Sequence, residues 1–250
     1  MGTGPESVNM VRVIEKLDGY LDRRDYDGAE RHLHFWLEQA DDPRVRLSIL
    51  NELIGLYRKT LKEKECLNAV SKALQLAEDL NMKESIMAGT SFLNAATGYK
   101  AFGRAEEALR LYKRAEKIYE LLLAKDDSRL AGLYNNMAVT LADLCQYDDA
   151  EKMYNKELDI MRVQENGKLE MAVTYLNMAD LYYARQGPEE SEVKVNECLD
   201  LAESMLDSAD ILKDGYYAFI CEKCAPAFNF YGRFLMGAKL LAAAGEIEPE

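Results

Sequence analysis

The sequence is poor in the residues and runs that mark several classes of protein. Only 5 of its 250 residues are proline, which argues against a β-sandwich or domains joined by long linkers. No apolar run approaches the ~18 residues that a membrane helix needs. The first ten residues lack a cationic start followed by an apolar core, so they do not predict a signal peptide. We therefore expect a cytoplasmic protein whose 5 cysteines are reduced thiols.

Basic patches and catalytic motifs are missing as well. Lys and Arg number 31 against 44 Asp and Glu, which gives a net charge of −13, and the basic residues form no run. Nucleic acid and membrane surfaces are therefore not expected as partners, whereas basic or neutral peptides and proteins are. The chain contains no phosphate-binding loop, G-x-S-x-G, H-E-x-x-H or dinucleotide-binding glycine pattern. These absences predict a protein that is not an enzyme and needs no cofactor.

The sequence does contain an internal repeat. Three stretches align: "FLNAATGYKAFGRAEEALRLYKRAEKIYE" from Phe92, "YNNMAVTLADLCQYDDAEKMYNKELDI" from Tyr134 and "YLNMADLYYARQGPEESEVKVNECLDL" from Tyr175. In each, an aromatic residue is followed by Asn after two positions, a small residue after four and a large apolar residue after seven. The stretch "LNELIGLYRKTLKEKECLNAVSKALQL" from Leu50 fits the same frame. Weaker units flank these four.

Each repeat predicts two amphipathic helices joined by a tight turn. In the first helix, Phe92, Ala95 and Tyr99 have the spacing of one buried helical face. Small residues near the start of the second helix allow the two helices to approach closely. These residues are Cys66, Ala108, Ala150 and Ser191, spaced 42, 42 and 41 apart.

This pattern resembles the tetratricopeptide repeat, whose usual period is 34 residues. The longer period and the "YNNMA" segment are similar to the repeats of kinesin light chains and related bacterial proteins. The resemblance implies an all-α fold, a right-handed superhelical solenoid of about six helix pairs. It implies one domain over residues 8–245, with flexible ends at 1–7 and 246–250. The expected units are 10–45, 46–86, 87–128, 129–170, 171–212 and 213–245.

The resemblance also implies a concave groove lined by the unpacked residues of the first helices. Asn94, Asn136 and Asn177 share one column of this groove. An amide both donates and accepts hydrogen bonds, so such a ladder can bind the backbone of an extended peptide. The alternative is a ladder that only joins neighbouring helices. Asn135 either joins Asn136 at the groove or contacts the adjoining helix.

Further groove positions follow from the same frame. The other candidate site residues are Glu52, Lys59, Thr97, Asp143 and Asp180. In the last two units the frame gives Val173, Asn177, Asp180, Ala184, Phe219, Lys223, Pro226 and Phe230. Six groove positions are acidic (Glu15, Asp18, Asp22, Glu52, Asp143, Asp180) and two are basic (Lys59, Lys223). A peptide that carries Lys or Arg fits this charge, although a merely solvated surface has the same composition.

Cys221 and Cys224 form a C-x-x-C pair, which occurs in zinc and redox sites. Zinc would need two further ligands, yet no second C-x-x-C exists, and the two histidines, His32 and His34, lie at the other end of the chain. Packing in the core is the favoured interpretation, because four of the cysteines fall on packing columns. No metal site is therefore expected. Pro226 predicts either a bent helix or a helix that begins later.

These observations lead to a functional hypothesis with two alternatives. The leading hypothesis is a non-enzymatic scaffold or adaptor that binds an extended peptide or partner segment in its groove. The first alternative is a regulatory peptide sensor resembling bacterial quorum-peptide receptors. The second is a self-assembling unit, because "FLMGAKLLAAAG" is apolar for a terminal helix and could form a homodimer through the C-terminal helices.

Overall fold

The computed structural model describes residues 8–80, 85–165 and 167–247, and all regular secondary structure in these ranges is helical. The predicted all-α fold of six helix pairs is confirmed. Of the flexible ends predicted at 1–7 and 246–250, residues 1–7 and 248–250 lie outside the described residues. The helices are α1 (Met10–Asp22), α2 (Tyr26–Gln39), α3 (Pro43–Lys59), α4 (Glu63–Asp79), α5 (Ile86–Ala101), α6 (Ala105–Leu122), α7 (Ser128–Asp143), α8 (Tyr147–Met161), α9 (Gly167–Gln186), α10 (Pro188–Leu206), α11 (Gly215–Phe230) and α12 (Phe234–Gly245).

The helices belong to two compact units, Met1–Leu122 and Leu123–Glu250. In the first unit, α1 packs on α2, α3 on α4 and α5 on α6, and α5 also contacts both helices of the pair before it. In the second unit, α9 contacts α7, α8, α10 and α11. Because it is surrounded in this way, α9 is buried without interruption from Met171 to Leu176, which is the burial expected of a helix covered on most of its sides.

Short polar side chains begin many of the helices. Asp42 accepts a hydrogen bond from the backbone N–H of Arg44 at 2.8 Å, and Pro43 occupies the first helical position. Asp25 and Asp127 accept equivalent bonds at the starts of α2 and α7. The first N–H groups of a helix have no partner within it, so these caps fix where the helices start.

The two helices of each pair meet at a small residue near the start of the second helix. The side chains of Ala29, Cys66, Ala108, Ala150 and Ser191 are completely buried. In the last pair the position is Gly237, where an added Cβ would lie 2.2 Å from Oδ1 of Asn229. A larger side chain at these positions would force the helices apart. The predicted role of these residues in close helix packing is confirmed.

A residue with positive φ closes the first helix of each pair. These residues are Arg24, Leu61, Gly103, Cys145, Gly187 and Gly232, with φ between 56° and 80°. In five of the six turns the next backbone N–H reaches back to a carbonyl five residues earlier, as from Lys62 to Tyr57 at 2.9 Å. This is the hydrogen-bond pattern of a left-handed helix end. The Gly187 turn is shorter, because Pro188 already begins α10.

The structure also resolves two questions raised by the sequence. Cys66, Cys198, Cys221 and Cys224 are buried, and Cys145 is exposed in a turn, so the packing interpretation is confirmed. Burial raises the pKa of the Cys198 and Cys224 thiols to about 12. Pro226 lies inside α11, so the helix does not begin after it. In the described ranges, no three His, Cys, Asp or Glu side chains are grouped so that they could hold a metal ion.

The positive φ of the turn residues predicts the effect of glycine there. Leu61 has φ 56° and is 76% exposed, so Leu61→Gly removes a strained Cβ and few contacts. We expect it to raise the free energy of unfolding by about 1 kcal/mol, measured by urea denaturation. The matched control is Leu121→Gly, at an exposed position in α6 with helical φ, which should lower it. Destabilisation by Leu61→Gly would contradict the turn analysis.

Candidate functional site

Two cavities open beside the first helices of the pairs in the second unit. The first, here called the acidic cavity, has a volume of about 370 Å³. It lies between α7, α8, α9 and the start of α11. Its lining consists of Ser128, Ala131, Gly132, Asn135, Glu157, Met161, Gln164, Glu165, Gly167, Glu170 and Tyr216.

The second, here called the α9–α11 cavity, has a volume of about 520 Å³. Its lining consists of Val173, Leu176, Asn177, Asp180, Lys223, Cys224, Pro226, Ala227 and Phe230. Six of these residues come from the groove positions of the last two repeats, three from each helix. The exposed side chains of Pro226 and Phe230 make one wall apolar. Because proline has no backbone N–H, Pro226 also leaves the carbonyl of Glu222 without its usual helical donor.

An amide pair joins the two cavities. The Asn177 side chain, which lines the α9–α11 cavity, donates from Nδ2 to Oδ1 of Asn135 at 3.1 Å, and Asn135 lines the acidic cavity. The side chain that reaches Asn177 is therefore that of Asn135, one residue before Asn136. Asn136 is half-buried, and its backbone carbonyl accepts from the Thr140 hydroxyl at 2.8 Å.

The geometry of stacked helices explains why Asn135 is the partner. Asn136 and Asn177 occupy equivalent positions in their repeats, so their side chains point in the same direction rather than at each other. A residue at the neighbouring position faces the next helix instead. Asn51, two 42-residue periods before Asn135, also forms a hydrogen bond with the first helix of the next pair. Its side chain donates to the Ser91 hydroxyl of α5 at 3.1 Å. The recurrence of Asn at 51 and 135 is the sequence signal for these contacts.

Asp180, one of the polar residues of the α9–α11 cavity, is bound by a tyrosine of an aromatic cluster. The Tyr231 hydroxyl donates to Oδ1 of Asp180 at 2.7 Å. Desolvation raises the pKa of Asp180 above its usual value, and the Tyr231 hydrogen bond lowers it in part. Tyr183, Phe230 and Tyr231 contact one another edge to face, with ring centroids 4.9 to 5.9 Å apart. Asp180 is therefore positioned in the cavity by an ordered neighbour.

The acidic cavity contains a buried carboxyl group. Glu157 on α8 is only 3% exposed, and its Oε2 has no hydrogen-bond partner among the described residues. Its pKa is raised to about 8, chiefly by burial and also by the nearby Glu170, while the neighbouring Thr174 side chain and the charge of Lys223 act to lower it. Glu170 accepts a hydrogen bond from the hydroxyl of Tyr216. Glu157 was not among the residues predicted from the sequence, because a Glu on the second helix of a repeat is expected to face solvent.

The candidate residues of the first unit and Asp143 lie in varied environments. Thr97 is buried, and its hydroxyl donates to the carbonyl of Asn94 at 2.8 Å. Burial and the nearby Asp18 raise the pKa of Glu52. The Lys59 ammonium lies 5.6 Å from the centre of the Tyr26 ring on α2. Asp143 is exposed at the end of α7.

The sequence matches a known repeat family, and the fold matches solved structures. The tetratricopeptide repeat family model matches residues 45–120 and 129–204, together more than half of the chain. No protein with a curated description matches the sequence. Between residues 8 and 247, with 81–84 and 166 left out, no helix is long and apolar enough to span a membrane.

Several solved structures share the fold at low sequence identity. A Podosopora anserina protein described as a kinesin light chain, with nearly identical TPR-like repeats, is 17% identical to this chain, with a TM-score of 0.59. The match covers 82% of this chain and 96% of that chain, and coverage is given below in the same order. BtubC (BKLC) from P. vanneervenii is 18% identical (TM-score 0.55; 98% and 95%). NprR in complex with its cognate peptide NprX is 15% identical (TM-score 0.62; 94% and 65%). At these identities the likeness is one of fold.

The raised pKa of Glu157 predicts a pH-dependent stability. Its folded-state pKa of about 8 exceeds the usual 4.5, so the folded protein binds the proton more tightly. The resulting stability is complete below pH 4.5 and is lost as the pH rises through 8. Relative to wild type, Glu157→Gln should gain more than about 1 kcal/mol in free energy of unfolding between pH 5 and 8.5.

Urea denaturation at pH 5, 7 and 8.5 measures this difference. The matched control is Glu78→Gln, at an exposed position of α4, whose difference from wild type should stay constant over the same range. A constant difference for Glu157→Gln as well would show that the Glu157 carboxyl ionises normally.

Proposed function

Because the chain belongs to the tetratricopeptide repeat family, we propose that it is a non-enzymatic interaction scaffold of the cytoplasm. Its second unit binds an extended segment of a partner protein along the acidic cavity and the α9–α11 cavity. The Asn135–Asn177 pair carries this proposal, because it stands where the two cavities meet. Besides the hydrogen bond between them, each of the two amides can form further hydrogen bonds, because an amide has two donor hydrogens and an oxygen with two lone pairs.

The cavities suit an extended chain better than a compact ligand. They have volumes of about 370 and 520 Å³, and each is large enough for a side chain of the bound segment. An extended backbone exposes its own N–H and C=O groups, which need partners when they leave water. The two amides can supply such partners regardless of the sequence of the segment.

The charge of the site favours a basic partner segment. Asp180 and three glutamates line the two cavities, against one lysine, Lys223. The whole chain is acidic as well, with a net charge of −13. Electrostatic attraction would therefore steer Lys- or Arg-rich segments towards this face.

A regulatory peptide sensor is the second candidate, and one comparison favours it. NprR shares the fold and is solved with its cognate peptide. This chain matches 65% of the length of NprR. A homodimer through α12 would be a self-assembling alternative, since Phe234, Leu235 and Leu241 are exposed on that helix.

An immobilised library of random 12-residue peptides tests the binding proposal. The peptide retained most strongly is synthesised, and its dissociation constant is measured by fluorescence anisotropy. Asn177→Ala removes the amide that donates to Asn135, so we expect roughly fivefold to tenfold weaker binding, the size of one hydrogen bond. The double variant with Asn135→Ala should bind more weakly still.

Asn155→Ala is the matched control, because the Asn155 amide is exposed on α8 and donates to its own helix at Glu151. It should leave the affinity unchanged. Circular dichroism at 222 nm checks that all variants remain helical. Equal affinities for wild type and the double variant would refute binding through the amide pair.

A further inference from the structure

We propose that the acidic cavity is a specificity pocket for a cationic side chain, the ammonium of a lysine or the guanidinium of an arginine. This inference rests on the proposed function, because the side chain would belong to the partner segment bound beside the Asn135–Asn177 pair. It adds the chemical identity of one residue in that segment and the groups that recognise it.

The charge of the lining is the first observation. Of the eleven lining residues in the part of the chain described, three are glutamate, namely Glu157, Glu165 and Glu170, and none is lysine or arginine. Mutual repulsion opposes the ionisation of neighbouring carboxyl groups when no cation is present. A ligand that carries a positive charge would remove this repulsion, whereas an anionic ligand would increase it.

The second observation is independent of the charge count. Glu157 lines the cavity and is 3% exposed, and its Oε2 has no hydrogen-bond partner in the described structure. A buried acceptor without a donor is unfavourable, and such groups are rare in folded proteins unless they serve a ligand. Lys and Arg side chains bring several N–H donors together with the charge that a carboxylate requires.

The remaining walls suit the stem of such a side chain. Met161 and Ala131 provide apolar surface for the methylene groups, which long cationic side chains bury while the charged end finds its partner. Gly132 keeps the α7 wall open, since a Cβ added there would meet no atom within 4 Å. The Asn135 amide, at the boundary with the α9–α11 cavity, places this pocket directly beside the path of the backbone.

Ionisation of Glu157 couples binding to proton release. Its pKa of about 8 means that the free protein carries a proton there at pH 7. The groups that interact with it are Tyr154 of α8, Glu170 and Thr174 of α9, and Lys223 of α11. Glu165 before α9 and Tyr216 of α11 line the same cavity. A bound cation would favour the carboxylate, so about one proton should leave per cation bound at pH 7.

The test uses a defined probe, acetyl-Gly-Gly-Arg-Gly-Gly-amide, and its counterpart with citrulline, which has the same shape without the charge. Binding is followed by the NMR signal of the Met161 methyl group. We expect the arginine probe to bind at least tenfold more tightly than the citrulline probe. Calorimetry in two buffers of different ionisation enthalpy should show the proton release.

Two variants remove the pocket by different routes. Glu157→Gln removes the charge, and Gly132→Leu fills the opening from a position where the backbone has room. Each should weaken binding of the arginine probe at least tenfold. Gly55→Leu, at a helical glycine of α3 with equal room, should leave it unchanged and shows that the substitution itself does not harm the fold.

The outcomes separate this inference from the proposed function. Asn155→Ala, at an exposed amide of α8 outside both cavities, should leave binding of the arginine probe within twofold. Equal affinity for arginine and citrulline, or full affinity in Glu157→Gln, would overturn the pocket. If the pocket is overturned in this way but the library peptide still binds, the proposed function would be retained. If the arginine probe binds as expected but the Asn variants do not weaken binding of the library peptide, only the proposed role of the amide pair would be refuted.

Discussion

The close contact between the two helices of each pair is the constraint on which the rest of the structure depends. Ala29, Ala108 and Ala150 are completely buried where the helices meet, so the second helix lies directly against the first. This distance allows a turn of three residues in five of the pairs and of one residue between α9 and α10, and each turn contains a residue of positive φ. The first helices of successive pairs can then contact each other, as α9 contacts α7 and α11, and both cavities lie beside these helices.

The fold could be predicted because its signals repeat. Aromatic and small residues recur at about 42 residues, and one turn residue per pair breaks the helix. The candidate site was predictable only in part. The frame identified Asn177 and Asp180, which line the α9–α11 cavity, but the partner of Asn177 is Asn135. An alignment of the repeats shows which residues occupy equivalent positions, but it does not show which of them faces the neighbouring helix.

Glu157 illustrates the other limit of sequence reasoning. Its position on α8 follows the polar pattern of the second helices, so nothing local marks it as buried. Its burial arises from α7 and α9, which close around it from distant parts of the sequence. The same packing produces the raised pKa and the unpartnered Oε2. Groups that violate the usual rules of burial tend to lie at functional sites, where stability is given up for recognition.

The distribution of the thiols gives the molecule a built-in site for chemical labelling. Burial keeps the pKa of Cys198 and Cys224 near 12, whereas Cys145 is exposed in the turn between α7 and α8. Thiol reagents react with sulfur atoms that they can reach. A maleimide dye would therefore attach at Cys145 of the unmodified protein. The reporter would sit at the far end of the helix that carries Asn135, outside the cavities whose occupancy it would follow.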